Sequence, residues 1–149
     1  MAKTTDPKTV IIVDDELHNL TWLVDYIEAR GLSVKTASTA NDALELLSKG
    51  IFRAAIIDLN IPMLDPIIKS VTDKGLAYAR YPGLYVAYFA RNKGYRGRQV
   101  VIYSVHRDAA VSEESQRLGC TYIIKGRPKE IKAELEDVLS FDPTAKATN

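Results

Sequence analysis

Short apolar runs alternate along this chain with stripes at helical spacing. The first run, over 9–13, carries Val10-Ile11-Ile12-Val13 and stops at Asp14-Asp15-Glu16. Four β-branched residues in a row predict a strand buried on both faces, as in a parallel sheet. Leu17, Leu20, Val24 and Ile27 then predict a helix, which Gly31 stops. A short second strand is expected over 32–36. Ala43, Leu44 and Leu47 form the apolar face of the next helix, ended by Gly50. The third strand, 54–57, stops at Asp58, and the fourth, 99–103, ends at Ser104. A helix over 108–118 closes on Gly119, and the fifth strand, 122–124, ends at Lys125. Pro128 opens a last helix, where proline suits the first turn, with Ile131, Leu135 and Val138 facing the core.

Strand and helix alternate five times. This predicts an α/β fold, a doubly wound five-stranded parallel sheet with helices on both faces. One domain is expected over 9–140, with a flexible N-terminus (1–8) and a flexible tail (141–149). The rhythm breaks once. The gap between Asp58 and Ser104 exceeds the roughly 30 residues that a loop, helix, turn and strand need. The surplus falls in an insertion over 66–82, which contains a short helix of its own. The helix expected after β-strand three then runs over 83–91, closed by Lys93-Gly94.

Composition narrows the function classes. The chain has 149 residues, 46% hydrophobic and 26% charged, with a formal net charge of +1. That balance gives a nucleic-acid or membrane role no support. No apolar stretch reaches membrane-spanning length, and the polar N-terminus carries no signal segment. The single cysteine, Cys120, has no partner for an internal disulfide, which fits a cytoplasmic location, and reads as a buried small residue. Arg91, Lys93, Arg96 and Arg98 read as a solvated helix end, and His18 as a solvated helix residue.

The strand ends carry the candidate chemistry. Ligands bind beyond the carboxyl ends of the strands in an open parallel sheet. Asp14, Asp15 and Asp58 would meet there, and crowded carboxylates favour a cation among them. Aspartate oxygens suit a hard divalent ion such as Mg2+. Asp58 is a candidate nucleophile that forms an acyl phosphate. Ser104 offers a hydroxyl donor and Lys125 an ammonium group to a phosphoryl oxygen. Simpler readings stand beside these. Asp14 and Asp15 also suit a helix N-cap pair, Ser104 a turn, and Tyr122 a core aromatic. His106 lies near Ser104 without a partnered acid, which argues against a Ser-His-Asp hydrolase.

Four segments, IIVDDE, IIDLNIPMLD, VVIYS and YIIKG, stand in this order at strand ends. Through them the chain resembles the CheY-like receiver domain of two-component response regulators over nearly all of 9–140. The resemblance implies a flavodoxin-like fold and Asp58 as phosphoacceptor. It implies Mg2+ held by Asp15 and Asp58, helped by Asp14 and the backbone carbonyl of Asn60. Ser104 would be the switch hydroxyl, Lys125 the phosphate-binding lysine, and Tyr122 the aromatic switch. Asn60 and His106 fall where this family tunes autodephosphorylation. The implied partners are a histidine kinase or phosphotransfer protein, a downstream protein and a second copy of the chain. The implied chemistry is self-phosphorylation and autodephosphorylation, not enzymatic turnover.

Three departures from the family pattern stand out. Gly126 replaces the proline that usually follows the lysine. Asp65 is followed by Pro66 and the insertion; with 66–82 excised, Asp65 meets Gly83 and restores the usual aspartate–glycine turn. The third is the expected absence of an output domain, which would make the chain resemble a stand-alone receiver. Two rival readings remain. A pseudo-receiver would serve as a protein-binding adaptor without phosphorylation. A small phosphatase would use Asp58 as nucleophile, but Asn60 stands where such enzymes carry their general acid. The insertion is expected beside the acidic pocket, where it affects access or partner choice, or else is a passive surface elaboration.

Overall fold

The computed structural model describes residues 4–105, 108–124 and 128–140, with backbone only for Pro128 and Glu130. Five strands form one sheet: β1 (Asp6–Val13), β2 (Ser33–Ala37), β3 (Phe52–Ile57), β4 (Val100–Ser104) and β5 (Thr121–Ile124). Every pair is parallel and the order is β2-β1-β3-β4-β5. The chain therefore reverses its direction of winding between β1 and β3, which creates a crevice at their carboxyl ends.

Strand residues alternate between two cores because successive side chains point to opposite faces. Ile11, Val13, Ala55, Ile57, Val100 and Ile102 face α2 (Ala40–Ser48), α5 (Pro82–Lys93) and α6 (Ala109–Leu118). Val10, Ile12, Ala54, Ile56, Val101 and Ile123 face α1 (Thr21–Glu28) and α7 (Pro128–Ser140). Both faces of β1 and β3 are thus covered, which explains their unbroken apolar runs. Each fully buried Leu or Ile contributes about 1.5–3 kcal/mol. Among the described residues no helix is long and apolar enough to cross a membrane.

The helices follow local signals. Thr39 caps α2 by accepting from the Asp42 N–H, and Asp108 caps α6 by accepting from the Ala110 N–H. Leu20, Leu23 and Ile27 are the buried residues of the first helical segment; Leu17–Leu20 forms a 3-10 turn before α1, and Val24 is only half-buried.

Three expectations need correction. The flexible N-terminus does not extend to residue 8: the backbone N–H groups of Thr5 and Asp6 donate to the Ile51 carbonyl, and β1 already begins at Asp6. Buried Thr4 accepts from Gln99 Nε2. These bonds involve no apolar side chains, so hydrophobic patterning does not reveal them. The insertion holds two short helices, α3 (Ile68–Lys74) and α4 (Leu76–Arg80), separated at Gly75. Arg91 is half-buried, not solvated: its Nε donates to the Leu118 carbonyl at 2.7 Å and its Nη1 to the Tyr95 carbonyl at 2.6 Å. The Leu118 carbonyl is one that the end of α6 leaves open, and the Tyr95 carbonyl lies just beyond α5. Met1–Lys3 and the tail over 141–149 lie outside the described residues.

Candidate functional site

The last rungs of the sheet position the acids. The Asp14 N–H donates to the Ala37 carbonyl of β2 at 3.0 Å, and the Asp58 N–H to the Val13 carbonyl of β1 at 2.8 Å. Both residues therefore sit at the carboxyl edge, on either side of the crevice. Asp14 is 2% exposed, whereas Asp15 is exposed. The Glu16 N–H donates to Asp14 Oδ1 at 2.8 Å, which turns the chain out of the sheet. The helix-cap reading does not hold, because Glu16 and Leu20 occupy the cap positions of the first helical segments, neither with a side-chain cap. Carboxylate oxygens of Asp14, Asp15 and Asp58 lie within 4.8 Å of one another. Three hard oxygen donors at that spacing fit a magnesium-like ion.

The loop after Asp58 is anchored on both flanks. Leu59 and Ile61 are buried in the core. The Ala40 N–H donates to the Pro62 carbonyl, and Asn41 exchanges two hydrogen bonds with the Leu64 backbone, both at the start of α2. The insertion departs beyond this point and returns at Gly83, whose N–H donates to the Leu59 carbonyl at 3.0 Å. A Cβ on Gly83 would stand 2.0 Å from the Asp58 carbonyl oxygen. Only glycine allows that approach. Gly83 thus lies against Asp58 in space, although 66–82 separates it from Asp65 in sequence. Asn60 is exposed beside this loop.

Ser104 ends β4 on the same edge. It is fully buried and pairs with Ile124, so it is a strand residue and not a turn serine. Tyr122 pairs with Ile102 and is half-buried on the face covered by α5 and α6. Lys125, Gly126 and His106 lie outside the described residues.

Tyr103 is the residue that patterning missed. It is buried on the α1–α7 face, and its hydroxyl is pushed up to about 12, first by burial and then by the negative charges of Asp14 and Asp58. Within an apolar run it reads as plain core; its position next to Ser104 at a strand end was the available signal. Cys120, at the amino edge before β5, is remote from this chemistry. Burial pushes its thiol up to about 12, only partly offset by the Arg91 charge. It is expected to react with a thiol-selective disulfide reagent at pH 8 at least about tenfold more slowly in the native protein than in urea. Equal rates would contradict this burial.

No protein-family model matches the chain. Among curated proteins, it is 34% identical over 64 residues to the sensor histidine kinase RcsC of Salmonella typhimurium. That match spans 43% of this chain and only 7% of the kinase. Solved structures match over far more. The CheY-like receiver domain protein from Methanospirillum hungatei JF-1 superposes with a TM-score of 0.67 at 21% identity, covering 89% of this chain and 94% of that one. A two-component response regulator from Clostridium difficile gives 0.65 at 16% identity, covering 89% and 96%. The response regulator TrrA from Thermotoga maritima, in complex with Mg(2+)-BeF, gives 0.63 at 21% identity, covering 88% and 98%. With its all-parallel sheet in the order β2-β1-β3-β4-β5, the chain has the fold of the CheY-like response regulator receiver domains.

Proposed function

We propose that this chain is a phosphorylation-operated signalling switch that accepts a phosphoryl group on Asp58. The observation that carries this reading is the meeting of Asp14, Asp15 and Asp58 within 4.8 Å at the crevice of a receiver fold. Asp14, Asp15, Asp58 and the Asn60 carbonyl would hold Mg2+. When bound, that ion neutralises charge on phosphoryl oxygens. A carboxylate oxygen of Asp58 forms the bond to phosphorus while the phosphorus–nitrogen bond of a donor phosphohistidine breaks. The electron pair stays on the departing imidazole. Ser104 donates to a phosphoryl oxygen, and Lys125 pairs with its charge. The donor is a histidine kinase or phosphotransfer protein. The added charge shifts the population around Ser104 and Tyr122, and with it the affinity for a downstream protein or a second copy. A complete acid, hydroxyl and amine set favours this over the non-phosphorylated adaptor.

Titration with beryllium fluoride, a phosphoryl mimic, tests the reading. With magnesium present, Trp22 fluorescence or amide NMR shifts are expected to saturate. Chelation with EDTA is expected to abolish the change. A flat titration in the wild-type protein would refute the phosphoacceptor role and favour the adaptor.

A further inference from the structure

Insertion helix α4 is bolted to α6, the helix that begins five residues after Ser104. Tyr78 is 3% exposed, and its hydroxyl donates to Glu114 Oε2 on α6. Arg117 grips the same carboxylate with two bonds, Nε to Oε1 at 2.7 Å and Nη2 to Oε2 at 2.6 Å. Arg117's hydrogen bonds hold Glu114 down at about 2 against the opposing effect of burial, with Tyr78 adding to them. Burial, reinforced by Glu114, raises the Tyr78 hydroxyl above the ordinary tyrosine range. At neutral pH the pair is therefore a fixed donor and a charged acceptor, the stronger kind of hydrogen bond.

The Tyr78 ring is equally confined. It meets Tyr85 and Tyr88 of α5 edge to face, with centroids 6.4 and 6.2 Å away. Lys74 Nζ stands 3.9 Å from the Tyr88 centroid and 5.3 Å from that of Tyr78. A second, weaker contact lies nearer the site: Arg80 Nη1 is 4.0 Å from Asp108 Oδ2, the residue that caps α6. Straight after α4 the chain reaches Gly83, packed on the Asp58 backbone. One continuous segment thus touches the Asp58 loop, α5 and two points on α6.

We infer that residues 66–82 form a strap that restrains α6, with the Tyr78–Glu114 hydrogen bond as its fastening, and that the strap raises the cost of any response at Ser104 that displaces α6. The first half concerns the fold alone; the second rests on the phosphoacceptor reading. A passive elaboration would need neither a buried hydroxyl nor a doubly held carboxylate at its point of contact. Displacement of α6 breaks the fastening, so loosening the strap makes that displacement cheaper.

Tyr78→Phe is the informative variant because it keeps the ring and removes the donor. Amide hydrogen exchange is measured on the full chain without any phosphoryl mimic. Amides of α6 are expected to exchange about threefold to tenfold faster in Tyr78→Phe, and no faster in Lys69→Ala, which removes an exposed ion pair within α3. Beryllium fluoride with magnesium is then expected to bind Tyr78→Phe about threefold to tenfold tighter than wild type. Unchanged exchange in α6 overturns the strap. Faster exchange with unchanged mimic affinity overturns its coupling to the site. If the wild-type chain fails to bind the mimic while α6 exchange still accelerates, the phosphoacceptor reading falls and the strap stands.

Discussion

Asp58→Asn protein mixed with acetyl phosphate and magnesium is expected to gain no phosphoryl group, while the wild-type chain gains one. The substitution is nearly isosteric and keeps the backbone N–H that donates to the Val13 carbonyl. The sheet and the loop after β3 therefore survive it. What disappears is the anionic oxygen that attacks phosphorus, since a neutral amide is a poor nucleophile. It also removes one of the three carboxylates that share the 4.8 Å cluster, which weakens magnesium binding. Intact-mass measurement reads the outcome directly, and the wild-type adduct should be lost in mild base, as an acyl phosphate is. Equal uptake by Asp58→Asn would place the phosphoryl group elsewhere and remove the basis of the proposed switch.

Gly83→Ala is expected to destabilise the chain far more than a single methyl group usually does. Its Cβ would stand 2.0 Å from the Asp58 oxygen, 2.7 Å from Leu59 Cα and 2.9 Å from the Asp58 carbonyl carbon. All three are backbone atoms and have no rotamer by which to move aside. Overpacking of this kind costs about 3 kcal/mol, at the upper end of its usual range. For a chain of this size that lowers Tm by roughly 6–12 °C. Gly31→Ala is the useful comparison, because its φ is +79° but nothing lies within 4 Å of the new Cβ. It carries only the backbone penalty of about 1–2 kcal/mol. Thermal denaturation of the two variants separates close approach from backbone strain. A Gly83→Ala midpoint within about a degree of wild type would show that α5 does not seat on Asp58 as described. Where Gly83→Ala does fold, the displaced Asp58 backbone should also weaken beryllium fluoride binding.

The meeting of the three acids was legible from two short segments, because each ends a strand whose apolar run is unmistakable. Val10–Val13 and Ala54–Ile57 are buried on both faces, and the first polar residue after each must emerge at the sheet edge. The apolar runs alone thus place Asp14, Asp15 and Asp58 together. Tyr103 escaped the same reading because an aromatic inside an apolar run carries no mark of its surroundings. Its proximity to Asp14 and Asp58 arises from the pairing of β3 with β4, a long-range fact. Arg53 was equally silent. Its guanidinium donates to the carbonyls of Pro7 and Leu139, tying both ends of the domain to β3. A lone arginine in a strand gives no hint of which distant carbonyls it will meet.

The insertion divides the same way. Its existence followed from chain length alone, since the stretch between Asp58 and Ser104 exceeds one loop and one helix. Its packing did not follow, because helices of seven and five residues are too short for periodicity to mark an inner face.

Local chemistry along the chain dictated the alternation of strands and helices, their order and the acids at the strand ends, because buried strands and amphipathic helices impose distinct periods on neighbouring residues. Only the folded arrangement decided that Gly83 seats on Asp58, that Tyr78 reaches Glu114 and that Tyr103 feels two carboxylates. Such contacts join residues remote in sequence, and short-range spacing holds no record of which surfaces will meet.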